Sequence, residues 1–111
     1  MATVSYEDFS KVDLRTGKII QVEDFPAARK PAYKVKVDFG PEVGIKWSSV
    51  QATNYPKDEL VGKTVIGVVN FSPKNIAGFL SEVLLLGVPG EDGKLSLLVP
   101  SKPAKVGEKV Y

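Results

Sequence analysis

The clearest alternation of apolar and polar positions in this chain runs through Tyr33–Phe39, YKVKVDF. Tyr33, Val35, Val37 and Phe39 fall on one side of an extended backbone, and Lys34, Lys36 and Asp38 fall on the other. That period of two is the mark of a half-buried β-strand. Leu14–Val22 is a second strand, and its internal Gly17 predicts a bulge or a barrel bend. Val43–Val50 is a third, with Ile45, Trp47 and Ser49 on one face and Lys46 and Ser48 on the other. Thr64–Val69 is apolar on both faces after Thr64, so it predicts a central strand. Val83–Gly87 and Leu95–Val99 flank the turn Pro89–Gly93 and predict a hairpin.

The punctuation between these runs completes the outline. Ser5 with Asp8 three positions on predicts one or two helical turns over Tyr6–Lys11. Asp24–Ala32 holds Pro26 and Pro31 and reads as a loop, and Gly40-Pro41-Glu42 reads as a turn. Asn54–Gly62, framed by Pro56 and Gly62, predicts a short helical turn. Five or six short strands with one short helix after the third indicate an all-β fold. The arrangement is that of a five-stranded OB-fold barrel with a short N-terminal helix and a short helix between strands 3 and 4. An SH3-like barrel is the structural alternative, but it has no need of the Asn54–Gly62 segment. A length of 111 residues leads us to expect one domain over residues 1–111.

Composition narrows the chemistry. Cysteine and histidine are both absent. There is thus no disulfide, no thiol nucleophile and no imidazole for acid–base work or metal binding. A non-enzymatic binding role without a cofactor or a metal is expected. No apolar run is long enough to cross a bilayer, and the N-terminus lacks a basic segment followed by an apolar one. We therefore expect a cytoplasmic location with no membrane insertion. The net charge is only +2, from 15 basic and 13 acidic residues. A polyanionic partner would require the basic residues to gather on one face.

Candidate recognition residues concentrate in Asn70–Gly87, NFSPKNIAGFLSEVLLLG, between two core strands. Asn70, Lys74, Gly78, Ser81 and Glu82 occur there in order. Asn70 either satisfies backbone groups of its own loop or bonds a ligand amide or base edge. Ser81 and Glu82 are caps or loop braces in the structural reading and ligand contacts in the functional one. Lys34, Lys36, Lys46, Arg29, Lys30 and Lys74 either keep strand faces solvated or form a patch for phosphates or acidic peptide segments. Trp47, the only tryptophan, is expected first in the core. An outer position would let it stack on a base or hold an apolar side chain.

Two long motifs carry a resemblance. DFSKVDLRTGKI (Asp8–Ile19) and VVNFSPKNIAGFLSEVLLLG (Val68–Gly87) resemble the tRNA-binding OB domain. That domain occurs in free-standing tRNA-binding proteins and at the C-terminus of many methionyl-tRNA synthetases. FPAARKPAYKVKVDFG (Phe25–Gly40) and GIKWSSVQATNYPKDELVGK (Gly44–Lys63) are similar to the export-related chaperones of that family. The resemblance implies a homodimer formed through the N-terminal segment and the C-terminal tail. It implies affinity for unfolded or precursor polypeptides and for the SecA translocation motor in protein export, with tRNA as the alternative ligand of the same face. The chain departs from the tRNA-binding group in having one basic residue in Pro73–Gly78 and Val83-Leu84 after its Ser-Glu pair. Both changes shift the segment from phosphate binding toward apolar contact. The ligand face carried over by the resemblance comprises Lys46, Ser48 and Ser49 on the third strand, then Asn70, Phe71, Lys74, Ile76, Gly78, Phe79, Ser81 and Glu82. Trp47 joins the candidate site because it stands where the chaperone-like pattern is commonly polar, which favours an exposed aromatic contact.

Overall fold

The computed structural model describes residues 1–111. Ser5 caps α1 (Tyr6–Ser10): its Oγ accepts the Asp8 N–H at 3.0 Å, and Glu7 and Asp8 place negative charge in the first turn. None of the residues of α1 is buried.

The long strand β1 (Leu14–Asp24) serves two neighbours in turn. Its first half pairs antiparallel with β4 (Thr64–Val68), and its second half with β2 (Tyr33–Asp38). β3 (Ile45–Val50) extends the sheet beyond β2, and β7 (Leu84–Leu85) extends it beyond β4, giving the order β3-β2-β1-β4-β7. The sheet curls until the segment around Glu82 meets the outer edge of β3, where the Glu82 N–H donates to the Trp47 carbonyl at 2.8 Å. Helical turns α2 (Gly40–Val43) and α3 (Lys57–Leu60) follow β2 and β3. Two short hairpins project from the barrel: β5 (Lys74–Ile76) with β6 (Phe79–Ser81), and β8 (Gly87–Pro89) with β9 (Leu95–Leu97). The architecture is an all-β, five-stranded, nearly closed OB barrel.

The expected alternation in β2 is realised, with Tyr33, Val35 and Val37 buried and Lys34, Lys36 and Asp38 turned outward. Phe39, Ile19, Leu60, Val35, Val37 and Val65 fill the centre. Gly17 plays a different part from the one its position suggested. The ladder stays regular at Gly17↔Val65, and the irregularity falls between Ile19 and Gln21 on the side facing β2. Gly17 makes room instead: a Cβ there would lie 2.6 Å from Phe39 Cε1 and from Val37 Cγ1. Gly40–Glu42 belongs to a helical turn, and the expected strand over Val83–Gly87 divides between β7 and β8.

The C-terminal residues run along the start of β1. Gly107 N–H donates to Thr16 O at 2.8 Å, Thr16 N–H to Glu108 O at 3.0 Å, and Val110 N–H to Leu14 O at 2.8 Å. Arg15 fastens this junction. Its guanidinium reaches Asp13 at 2.7 Å, Glu42 at 3.2 Å and the Gly107 carbonyl at 3.1 Å. Hydrogen bonds to Asp13 first and Glu42 second hold its pKa above the ordinary arginine value, against the opposing effect of burial.

Candidate binding face and cleft

Strand parity sets the binding face. With Val50 and Ser48 turned inward, Trp47 and Ser49 stand on the outside of β3. The register puts Lys36 opposite Trp47 and Lys34 opposite Ser49. Phe79 from β6 and Phe25 from the loop after β1 join them. The Phe25 and Phe79 rings meet edge-on at 5.4 Å, and Phe79 meets Trp47 at 6.1 Å. Lys34 Nζ lies 4.9 Å from the Phe25 centroid and 5.1 Å from that of Phe79, and Lys36 Nζ lies 5.8 Å from that of Trp47. These are cation–π distances. Trp47 therefore packs in an outer aromatic row and not in the core expected of it. The interior at that level is taken by Ser48, Val50 and the β2 side chains.

The Asn70–Gly87 segment is a hairpin followed by a seam, not an open loop. Ala77 and Gly78 both have positive φ, 50° and 84°, as a type I′ turn requires. Gly78 adopts this freely. Alanine in the left-handed region costs about 1–2 kcal/mol, and the turn is braced by the Gly78 N–H donating to Asn75 Oδ1 at 2.9 Å. Past the hairpin, side chains stand in for strand pairing. Ser81 Oγ accepts the Ser49 N–H at 3.0 Å, and Glu82 Oε1 accepts the Trp47 N–H at 2.9 Å. Ser81 and Glu82 thus close the barrel, and Lys46 Nζ lies 3.9 Å from Glu82 Oε2.

Two more expected ligand contacts, in addition to Ser81 and Glu82, are committed to the fold. Ser48 is buried, and its hydroxyl donates to the Val83 carbonyl at 2.8 Å. Its strand parity turns it into the barrel wall, away from any ligand on the outer face. Asn70 uses both ends of its amide on the N-terminal segment: Oδ1 accepts the Asp13 N–H at 2.9 Å, and Nδ2 donates to Lys11 O at 2.7 Å. Phe71 is exposed beside it, outside the cleft.

The cleft itself, about 950 Å³, lies between the loop after β1 and the β5–β6 hairpin. Ala28, Arg29, Lys30 and Ala32 form one wall; Lys74, Asn75, Ile76 and Ala77 form the other, and Ser49 and Gln51 form the floor. Of the residues singled out from sequence, Ser49, Lys74 and Ile76 meet here, while Trp47 and Phe79 stand in the aromatic row and Gly78 at the hairpin tip. Arg29 and Lys30 were seen only as part of a basic patch, and Gln51 and Ala77 were missed. The available signal was a basic pair held between Pro26 and Pro31.

Charge is unevenly shared. Lys11, Arg15, Lys46 and Lys57 each have a carboxylate within 4.0 Å. Arg29, Lys30, Lys34, Lys36 and Lys74, on the aromatic face and the cleft, have none, and neither do Lys18, Lys63, Lys94, Lys102, Lys105 and Lys109 elsewhere on the chain. Elsewhere, the Asp24 hydrogen bond raises the Lys57 pKa. No group of His, Cys, Asp or Glu is assembled to hold a metal ion, and no helix is long and apolar enough to cross a membrane.

A barrel with a basic, aromatic outer face and a cleft between its first loop and its β5–β6 hairpin defines an OB-fold binding module. The family model described as "Putative tRNA binding domain" matches residues 14–109, and the chain belongs to this tRNA-binding domain family. Methionine–tRNA ligase of Pyrococcus furiosus is 43% identical over 111 residues, covering 99% of this chain and 15% of the ligase. The Pyrococcus horikoshii ligase is 45% identical with the same coverage. The chain thus spans about 15% of the length of these curated relatives. Among solved structures, the CsaA chaperone protein from Picrophilus torridus matches with a TM-score of 0.93 and 52% identity, covering 98% of this chain and 100% of that one. Chaperone CsaA from Bacillus anthracis matches with a TM-score of 0.91 and 44% identity, covering 99% and 100%.

Proposed function

We propose that this chain is a dimeric, non-catalytic chaperone that holds unfolded or precursor polypeptide segments in the cytoplasm for export, with SecA as the receiving partner. The observation that carries this reading is the cleft. Its walls alternate apolar Ala28, Ala32, Ile76 and Ala77 with cationic Arg29, Lys30 and Lys74, which suits an extended segment bearing apolar and acidic side chains. The match to CsaA chaperones over their full length supports the same reading, whereas the ligases are matched over a small part of theirs. A homodimer is supported by α1, which leaves Tyr6 and Phe9 exposed and buries nothing against its own barrel. An amphipathic element of that kind calls for a partner surface. Two clefts in one dimer would bind a single polypeptide with the gain of linked sites.

A second reading, tRNA on the same face, is favoured by one specific observation: Lys34 and Lys36 stand over Phe79 and Trp47, with Arg29, Lys30 and Lys74 in the neighbouring cleft, a set that suits phosphates and unstacked bases. Salt separates the two. Counterion release makes RNA affinity fall steeply between 50 and 200 mM salt, on the order of a thousandfold for six phosphate contacts. Apolar contacts persist. Binding of a labelled unfolded polypeptide and of a tRNA transcript is measured across that range. Retained polypeptide binding with lost tRNA binding is expected; tRNA binding at the high end without any polypeptide binding would overturn the chaperone reading.

A further inference from the structure

We propose that the outer edge of β3 at Ser49–Gln51 is a strand-addition site for polypeptide main chain, an assignment that rests on the polypeptide reading above. The argument begins with the ladder. Trp47 turns its N–H and C=O away from β2, toward Glu82, and Ser49 turns its N–H the same way, toward Ser81. Backbone groups alternate along a strand. Val50, paired with Tyr33, therefore turns its N–H and C=O to the β2 side, where its carbonyl also accepts the Ala52 N–H at 2.8 Å. All peptide bonds are trans. The carbonyl of Ser49 and the N–H of Gln51 consequently point outward, and neither meets a partner from a loop or a side chain. The cover supplied by β6 ends at Ser81, and the hairpin then departs from the barrel wall.

What lies over this edge is open space of the right form. The cleft described above ends on Ser49 and Gln51. A second cleft, about 720 Å³, begins on the same two residues and continues past Thr53 to Leu84, Lys94 and Leu95. Together they form one trough crossing the free edge. An extended polypeptide laid in it offers one N–H and one C=O per residue at strand spacing, enough to satisfy both free groups. Its side chains alternate between the apolar wall and solvent. A phosphodiester chain lacks that alternating donor and acceptor. Main-chain pairing brings little sequence preference of its own, because every polypeptide carries the same backbone.

The test uses ¹⁵N-labelled protein and reduced, carboxymethylated α-lactalbumin as a permanently unfolded probe. On titration, the Gln51 amide resonance should move downfield and its hydrogen exchange should slow. Gln51→Pro removes this N–H together with the Gln side chain, Gln51→Ala removes the side chain alone, and the preceding Val50 is already extended, as a proline demands. Affinity should be about tenfold lower in Gln51→Pro than in Gln51→Ala, the scale of one well-made hydrogen bond. Probe binding that leaves the Gln51 amide unmoved, or a Gln51→Pro variant that binds as the wild type does, overturns the proposal. A wild type that ignores the probe altogether overturns the polypeptide reading itself, a separate and visible failure.

Discussion

Replacing Gly17 with alanine tests the barrel at its tightest point. Inside a strand, glycine is ordinarily the worse residue, and Gly→Ala gains roughly 0.5–1 kcal/mol from backbone entropy alone. Here the new methyl carbon would stand 2.6 Å from both Phe39 Cε1 and Val37 Cγ1, and 2.7 Å from Phe39 Cδ1. Carbon atoms prefer about 3.5–4.0 Å, so something must move by roughly 1 Å. Phe39 has little room to retreat, because its Cζ lies only 2.9 Å from where a Cβ on Gly67 of β4 would be. The ring sits in a slot between two glycines, and both Phe39 and Val37 are wholly buried. Overpacking of this kind costs about 1–3 kcal/mol, and the blocked retreat places Gly17→Ala near the upper end. At about 4 °C per kcal/mol, the melting temperature should fall by roughly 10 °C. Urea unfolding followed by Trp47 fluorescence and far-ultraviolet circular dichroism gives the free energy. Gly17→Ala combined with Phe39→Leu should cost less than the two changes summed, by about 1 kcal/mol or more. A Gly17→Ala protein as stable as the wild type, or more so, would refute the slot argument outright.

Other outcomes follow from the site and its supports. Ala77→Asn relieves the left-handed strain at the hairpin tip, and amide exchange across β5–β6 should slow about fivefold, the equivalent of roughly 1 kcal/mol. Replacing Arg29 and Lys74 together with alanine should reduce the slope of log affinity for tRNA against log salt by about 1.4, two single-strand phosphate contacts; an unchanged slope would remove both from the RNA face. Arg15→Met leaves Asp13, Glu42 and the Gly107 carbonyl without their donor and should lower stability by about 1–2 kcal/mol, read as a lower urea midpoint. The free carboxylates are partly exposed, which keeps the loss moderate.

Much of the barrel was legible because its signals are local. The YKVKVDF run displays its own inside and outside, and Ser5 with Asp8 marks a helix start within four residues. The closed sheet, the helix α1 and the helical turn α3 followed from such patterns, whereas α2 was read as a plain turn. The site was legible only in part, because its decisive contacts join distant segments. Asn70 was read as bracing its own loop or bonding a ligand, yet its partners are 57 and 59 residues away. Ser48 and Trp47 were correctly separated onto opposite faces. Which face lies inside depends on the β2 neighbour and on Val83, 35 residues on from Ser48. Arg29 and Ala77 become walls of one cleft only after the sheet order has brought residues 28–32 against 74–77. Local pattern shows which residues alternate; the long-range pairing decides what they alternate between.

The pairing of the C-terminal residues with the start of β1 has a consequence for how the barrel can be attached to other bodies. The C-terminal residues leave beside Leu14–Thr16. The loop that walls the cleft leaves from Asp24, at the far end of the same strand, roughly 30 Å away along an extended backbone. A label or surface tethered at the C-terminus therefore hangs from the Leu14–Thr16 end of that strand, while the loop wall of the cleft springs from its other end. The N-terminal segment is tied instead to Asn70, shortly before the Lys74 wall, so the two ends are not equivalent handles.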